Sequence, residues 1–205
     1  ETATCASGKS ESTVIARVGE LGARRALDLT RPGQRGFLLA GKGHNGDDVR
    51  AAREHLTGRV ADELDVLDPT ADFARLKELL SLRPALVVDG LFGIGLNRPL
   101  DEAWCRFIGC VNDAHLPVLA VDVPSGLHAD SGEPQGAAIH ASVTLTLGAP
   151  KPGLLRTEAV QFAGRLELAA DIGLTPCPHV SELNWTLPED FAGFPIPALV
   201  IAGWA

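Results

Sequence analysis

No stretch of the sequence approaches the ~18 consecutive apolar residues that a membrane-spanning helix needs, so no membrane span is expected. A basic block is missing too. Eighteen Lys and Arg stand against 26 Asp and Glu, for a net charge of -8, which argues against a nucleic-acid-binding face. The four cysteines, Cys5, Cys105, Cys110 and Cys177, form no C-x-x-C pair, so a zinc-type cluster is not expected. Cys105 and Cys110 fall in a helix-like stretch and read as buried thiols rather than a disulfide. The opening residues, ETATCASGKSES, lack the apolar run of a signal peptide. A cytoplasmic, reduced protein is the expectation.

Two nucleotide signatures are incomplete. Residues 3–10 (ATCASGKS) match a relaxed phosphate loop with Ala in place of the first Gly, but no strand precedes them. A disordered terminus is the better reading there. Gly41 and Gly43 supply a G-x-G, but the third glycine of a dinucleotide fingerprint is not in place. Acidic residues at the following helix start would repel a pyrophosphate. A nicotinamide dehydrogenase is therefore disfavoured.

What remains is ordinary globular composition, 45% hydrophobic and 21% charged, enough for a real core. The organising stretch is VLAVDVPSGLHADSG, residues 118–132. It opens as a buried strand after Pro117 and breaks at Pro124-Ser125-Gly126. Asp122 thus sits at a strand's carboxyl end, where ligands bind in open α/β sheets; the alternative is a turn cap.

Earlier in the chain, residues 11–29 carry apolar groups at helical spacing, with Ser12 or Thr13 as candidate caps. Residues 36–41 (GFLLAG) read as a strand that runs into a helix reaching about Leu56. A weaker, charge-masked strand covers 60–67, and a helix covers 70–82. A strong strand at 84–89 ends in Asp89, and a helix covers 100–114. Strands at 143–147 and 166–169 follow. This alternation predicts a mainly parallel sheet with helices on both faces. Four strand-end loops carry polar residues: Asn45 and Asp48, Asp89, Asp122 and Ser125, and Lys151. Their convergence on one edge predicts a site. Asn45 and Asp48 suit a cation or ligand hydroxyls, or a capped turn. Gly93 and Gly95 allow close backbone approach to a ligand, and Arg98 offers a planar fork for phosphate.

The segments GKGHNGDD, VVDGLFGIGLNRPL, VDVPSGLHADSGEPQG and ASVTLTLGAPKPGLL, in this order, resemble the YjeF N-terminal domain family. The resemblance runs from about Thr13 to about Gly173. It implies a three-layer α/β/α Rossmann-like fold and NAD(P)H-hydrate epimerase activity. The substrate would be hydrated NADH or NADPH, converted from the R to the S form in cofactor repair. It further implies a potassium ion held by Asn45, Asp89 and Ser125, and a substrate bound by the first loop (His44, Asn45, Gly46, Asp47, Asp48) and by Gly93, Ile94, Gly95, Leu96, Asn97, Arg98 and Pro99. Asp122 would contact the nicotinamide ring and act as the catalytic group.

Three residues depart from the family's first-loop pattern: His44, Asp47 and Val49. They are expected to add bulk and charge over the ligand. The resemblance also implies a homodimer, but the family's N-terminal arm, which often helps dimerisation, reads as shortened here, which weakens that expectation. Residues 1–174 read as the epimerase-like domain. The Pro-rich 175–205 read as a tail, linker or start of a dehydratase domain, because ALVIAG resembles that domain's first strand. A second reading is a catalytically silent YjeF-like module that binds a nucleotide or a protein.

Overall fold

The computed structural model describes residues 10–58 and 60–174. The chain divides into two units, Glu1–Thr175 and Pro176–Ala205, and every described residue belongs to the first. The phosphate-loop-like segment, apart from Ser10, and the Pro-rich tail lie outside the described residues.

The elements in order are α1 (Glu11–Asp28), β1 (Gly36–Ala40), α2 (His44–His55), β2 (Val60–Asp65), α3 (Phe73–Ser81), β3 (Leu86–Gly90), α4 (Glu102–Asp113), β4 (Val118–Val121) and β5 (Val143–Leu147). Two short 3-10 turns, Pro152–Leu155 and Thr157–Ala159, lead into α5 (Val160–Ala163) and β6 (Arg165–Ala169). The six strands form one sheet in the order β2-β1-β3-β4-β5-β6, and every pairing is parallel.

Parallel strands buried on both faces read as continuous apolar runs, and their alternate residues feed two cores. Leu38, Ala40, Leu86, Val88, Leu119 and Val121 pack with Val18, Ala23, Ala26, Val49 and Ala52 of α1 and α2. Phe37, Leu39, Val87 and Val118 face the other way, onto Leu76, Leu79, Leu80, Phe107, Ile108 and Val111 of α3 and α4. A smaller cluster, including Val123, Leu127, Leu154 and Phe162, supports the chain beyond β4. This is the three-layer α/β/α fold expected.

Several boundaries differ from expectation for local chemical reasons. The cap of α1 is Ser10, whose hydroxyl accepts from the Thr13 amide at 3.3 Å. Helix α3 starts at Phe73 rather than 70 because side-chain acceptors hold the preceding backbone. Asp68 accepts from the Thr70 and Ala71 amides, and Asp72 from those of Leu67 and Asp68. Helix α4 begins after Asp101, which accepts from the Trp104 amide at 2.9 Å. Cys105 and Cys110 are free and half-buried rather than fully buried.

The order places β2 on one side of β1 and β3 to β6 on the other, so the sheet changes direction between β1 and β3. In such sheets a crevice opens at the carboxyl ends of the two strands.

Candidate functional site

Three loops meet at that crevice. Asp89 is the fourth residue of β3 and is fully buried. Its register partners are Leu39 and Ala120, so apolar strands flank it on both sides. The Ser125 hydroxyl donates to Asp89 Oδ1 at 2.6 Å, the Ser125 amide to Oδ2 at 2.8 Å, and the Leu91 amide to Oδ1 at 3.2 Å. Among the described residues no lysine or arginine pairs with this carboxylate. Burial pushes the Asp89 carboxyl up to about 6, while the bonds from Ser125 and Leu91 pull the other way.

Asn45, in the first turn of α2, joins the same knot. Its amide donates to the Phe92 carbonyl at 2.8 Å. That bond fixes which end of the amide is oxygen. Asn45 Oδ1 is buried and has no hydrogen-bond partner. The Phe92 amide in turn donates to Ser125 Oγ at 2.9 Å. Phe92 is held edge-on against Trp104, with ring centroids 4.6 Å apart. Its backbone therefore links Asn45 to Ser125. No residue type signals this role, which belongs to peptide groups rather than to a side chain.

The knot needs unusually close backbone approach. A Cβ on Gly41 would lie 2.0 Å from the Leu91 carbonyl oxygen. Gly126, after Ser125, has φ +94°, and a Cβ there would lie 2.0 Å from the Ala137 carbonyl oxygen.

Asp122 lies one residue past β4. Its φ is +69°, the left-handed region that non-glycine residues enter at a cost of about 1–2 kcal/mol. Three bonds hold Asp122 in this conformation. The Asp122 amide donates to the Leu145 carbonyl at 2.8 Å, and Oδ1 accepts from the Leu147 amide at 3.1 Å. Lys151 Nζ also pairs with Asp122 Oδ1, and donates to the Leu147 carbonyl at 2.8 Å. Both side chains are mostly buried, with 16% of Lys151 and 12% of Asp122 exposed.

The segment 93–99 is different. Ile94, Gly95, Asn97, Arg98 and Pro99 are exposed, and Gly93 and Leu96 half-buried. A Cβ on Gly93 would lie 3.3 Å from Asn45 Cβ, so this glycine abuts the knot. The Leu96 amide bonds the Gly93 carbonyl, and the Leu100 amide bonds the Gln135 carbonyl. The structure thus brings together Asn45, Asp89 and Ser125, anchors the base of the glycine loop beside them, and leaves the tip open.

Each of the three departures has contacts of its own. His44 Nε2 lies 2.9 Å from Glu11 of α1, and both are exposed. The charge of Asp47 is met by Arg50 at 2.9 Å, which also reaches Asp65 and the Gly41 carbonyl. Val49 turns into the core, its methyl filling the space over Gly90. Gly46 is buried, and Asp48 is half-buried with a bonding partner. A cavity of about 410 Å³ opens at the opposite edge of the sheet, among Arg35, Phe37, Arg83 and Ala85, away from all of these residues.

The class is thus defined: a parallel α/β/α protein with a polar, oxygen-rich site at its topological switch. Residues 62–153 match the family model described as YjeF-related protein N-terminus. A protein of Limosilactobacillus fermentum named NAD(P)H-hydrate epimerase is 38% identical over 128 residues, covering 62% of this chain and 59% of its own length. One of that name from Achromobacter xylosoxidans is 40% identical over 157 residues, covering 67% of this chain and 75% of its own. The chain therefore spans between about three-fifths and three-quarters of these two relatives. The crystal structure of the yeast protein ynu0 shares the fold with TM-score 0.58 at 20% identity, over 71% of this chain and 74% of that one. The chain belongs to the YjeF N-terminal domain family.

Proposed function

We propose that this chain epimerises a hydrated nicotinamide dinucleotide, converting the R form of hydrated NADH or NADPH to the S form. One observation carries the reading: a single aspartate, Asp122, fixed in a strained conformation at a strand end beside the switch crevice. The names of the relatives supply the substrate class.

The chemistry follows from the hydrate. Its hydroxyl sits on the ring carbon next to the ring nitrogen. That carbon inverts either if the hydroxyl departs as water and returns, or if the ring opens and recloses. Both routes need one group that takes and gives a proton, and a carboxyl does both. Asp122 lies against the Lys151 ammonium, and ring opening is the route that begins with a base. Asp122 takes the hydroxyl proton, the C–N bond breaks, and the carbon becomes an aldehyde. The electron pair moves onto the nitrogen and into the conjugated carboxamide. The nitrogen then attacks the aldehyde from its other face, and Asp122 returns the proton to the oxygen. The exposed segment carrying Arg98 supplies a fork for the pyrophosphate, and the first-loop backbone lies alongside for ligand hydroxyls.

The same reading includes a resident potassium ion. The fit rests on Asn45 Oδ1, a buried acceptor without a donor, beside a buried carboxylate that has no cationic partner among the described residues. Amide, hydroxyl, carboxylate and carbonyl oxygens suit a hard monovalent cation. Asn45, Asp89 and Ser125 would hold it, with the Phe92 carbonyl alongside. Bound there, the ion supplies the missing positive charge and ties three loops together.

The test is proton NMR of the purified R hydrate with and without the chain. The expected result is rapid appearance of the S form. A time course that matches the protein-free control would overturn the reading.

A further inference from the structure

We propose that Lys151 is a positioning residue for this reaction: it clamps one oxygen of Asp122 and leaves the other oxygen to handle the proton. The proposal rests on the epimerase reading. Its evidence is the distribution of bonds over the carboxylate. Oδ1 takes two donors, the Leu147 amide and Lys151 Nζ, whereas Oδ2 takes none among the described residues. A carboxylate held by one donor only can still swing about its Cβ–Cγ bond. Two donors on the same oxygen, one of them a peptide of β5, remove that freedom.

Lys151 can do this because it is itself held. Its Nζ also donates to the Leu147 carbonyl at 2.8 Å, so the ammonium and the Leu147 peptide form a closed ring with Oδ1. The side chain is only 16% exposed. Lys151 immediately precedes the Pro152–Leu155 turn, whose Gly153 amide bonds the Ala129 carbonyl at 2.7 Å. The turn that carries Lys151 is therefore stapled to the segment following β4, the strand that ends just before Asp122. An ammonium has three N–H groups, and two are used here. A lysine that merely decorated the surface would keep its stem and charge in water; this one spends its charge on the group that the reaction needs.

The consequence is specific. Removing the ammonium leaves Asp122 in place through the Leu147 amide but frees it to rotate, so turnover suffers more than substrate binding. The chain with Lys151→Met is assayed on the R hydrate beside Lys151→Arg, with melting curves for both. The expected result is a kcat lower by about tenfold or more in Lys151→Met, with KM within about threefold. Lys151→Arg, which keeps the charge and a donor, is expected to recover most of the loss. A kcat within about twofold of wild type, a loss confined to KM, or an arginine variant no better than methionine would each overturn the proposal. If Lys151→Met does not fold, Lys151→Gln replaces it, and failure of both to fold would make the role purely structural and overturn the proposal. An inactive wild type sinks the epimerase reading and this inference with it. An active wild type beside a fully active Lys151→Met sinks the role of Lys151 alone.

Discussion

Two aspartates stand at the ends of neighbouring strands, and the chain treats them in opposite ways. Asp89 is fully buried and is met by neutral donors from Ser125 and Leu91. Asp122 stands beyond its strand with φ +69° and is met by an ammonium, Lys151. Neutral hydrogen bonds offset only part of the cost of burying a charge, so Asp89 rises to about 6. The two carboxylates find their counter-charge in different places. Asp122 has one built into the chain. Asp89 must take a proton or a cation from outside, which is why the proposed potassium ion belongs to the Asp89 knot and the proposed chemistry to Asp122.

The largest effect is expected at Asp122. Asp122→Asn keeps the shape and the Leu147 bond but cannot take up the hydroxyl proton. We expect it to fold as wild type and to slow epimerisation by ~10²-fold or more, read by NMR of the hydrate. An equal rate in a folded variant would move the acid–base role elsewhere.

Smaller but still large is the effect of cutting the Asp89 knot. Ser125→Ala removes a donor to Asp89 and leaves the Phe92 amide without its acceptor. The expected loss is about 1–3 kcal/mol in urea unfolding. A loss within the ordinary surface range would mean that the knot relaxes around the change.

The third effect is a slope. The Asp89 carboxyl is raised from 3.8 to about 6 in the folded chain. Between those values the folded state holds a proton that the unfolded state has released. Stability contributed by this group therefore falls as pH rises through that window. In choline salts Asp89→Asn is expected to flatten the fall. A slope unchanged by the substitution would assign it to other groups.

The fold was largely legible because buried parallel strands are apolar on both faces. GFLLAG and VLAV carry that pattern without ambiguity, and their turn residues end them. The line-up of Asn45, Asp89, Asp122 and Ser125 on one edge followed from the same alternation. Other features depend on partners distant in sequence and so were not legible. Nothing local in HNGDDV says that His44 meets Glu11 of another helix, or that Val49 turns inward over Gly90. The start of α3 was misplaced because Asp68 and Asp72 bind backbone amides ahead of it, a competition that apolar periodicity does not register. The left-handed turn at Asp122 is likewise invisible, because aspartate is compatible with both extended and left-handed backbone.

The division of labour between the two aspartates is tested most directly by melting the chain in potassium chloride and in choline chloride at equal concentration. Wild type, Asp89→Asn and Asp122→Asn are compared. At potassium ten times its dissociation constant, wild type should gain about 1.4 kcal/mol, a shift of about 3–5 °C for a chain of this size. Asp122→Asn should keep that gain and Asp89→Asn should lose it. Equal melting temperatures of the wild type in the two salts, or a gain that survives in Asp89→Asn, would contradict the account.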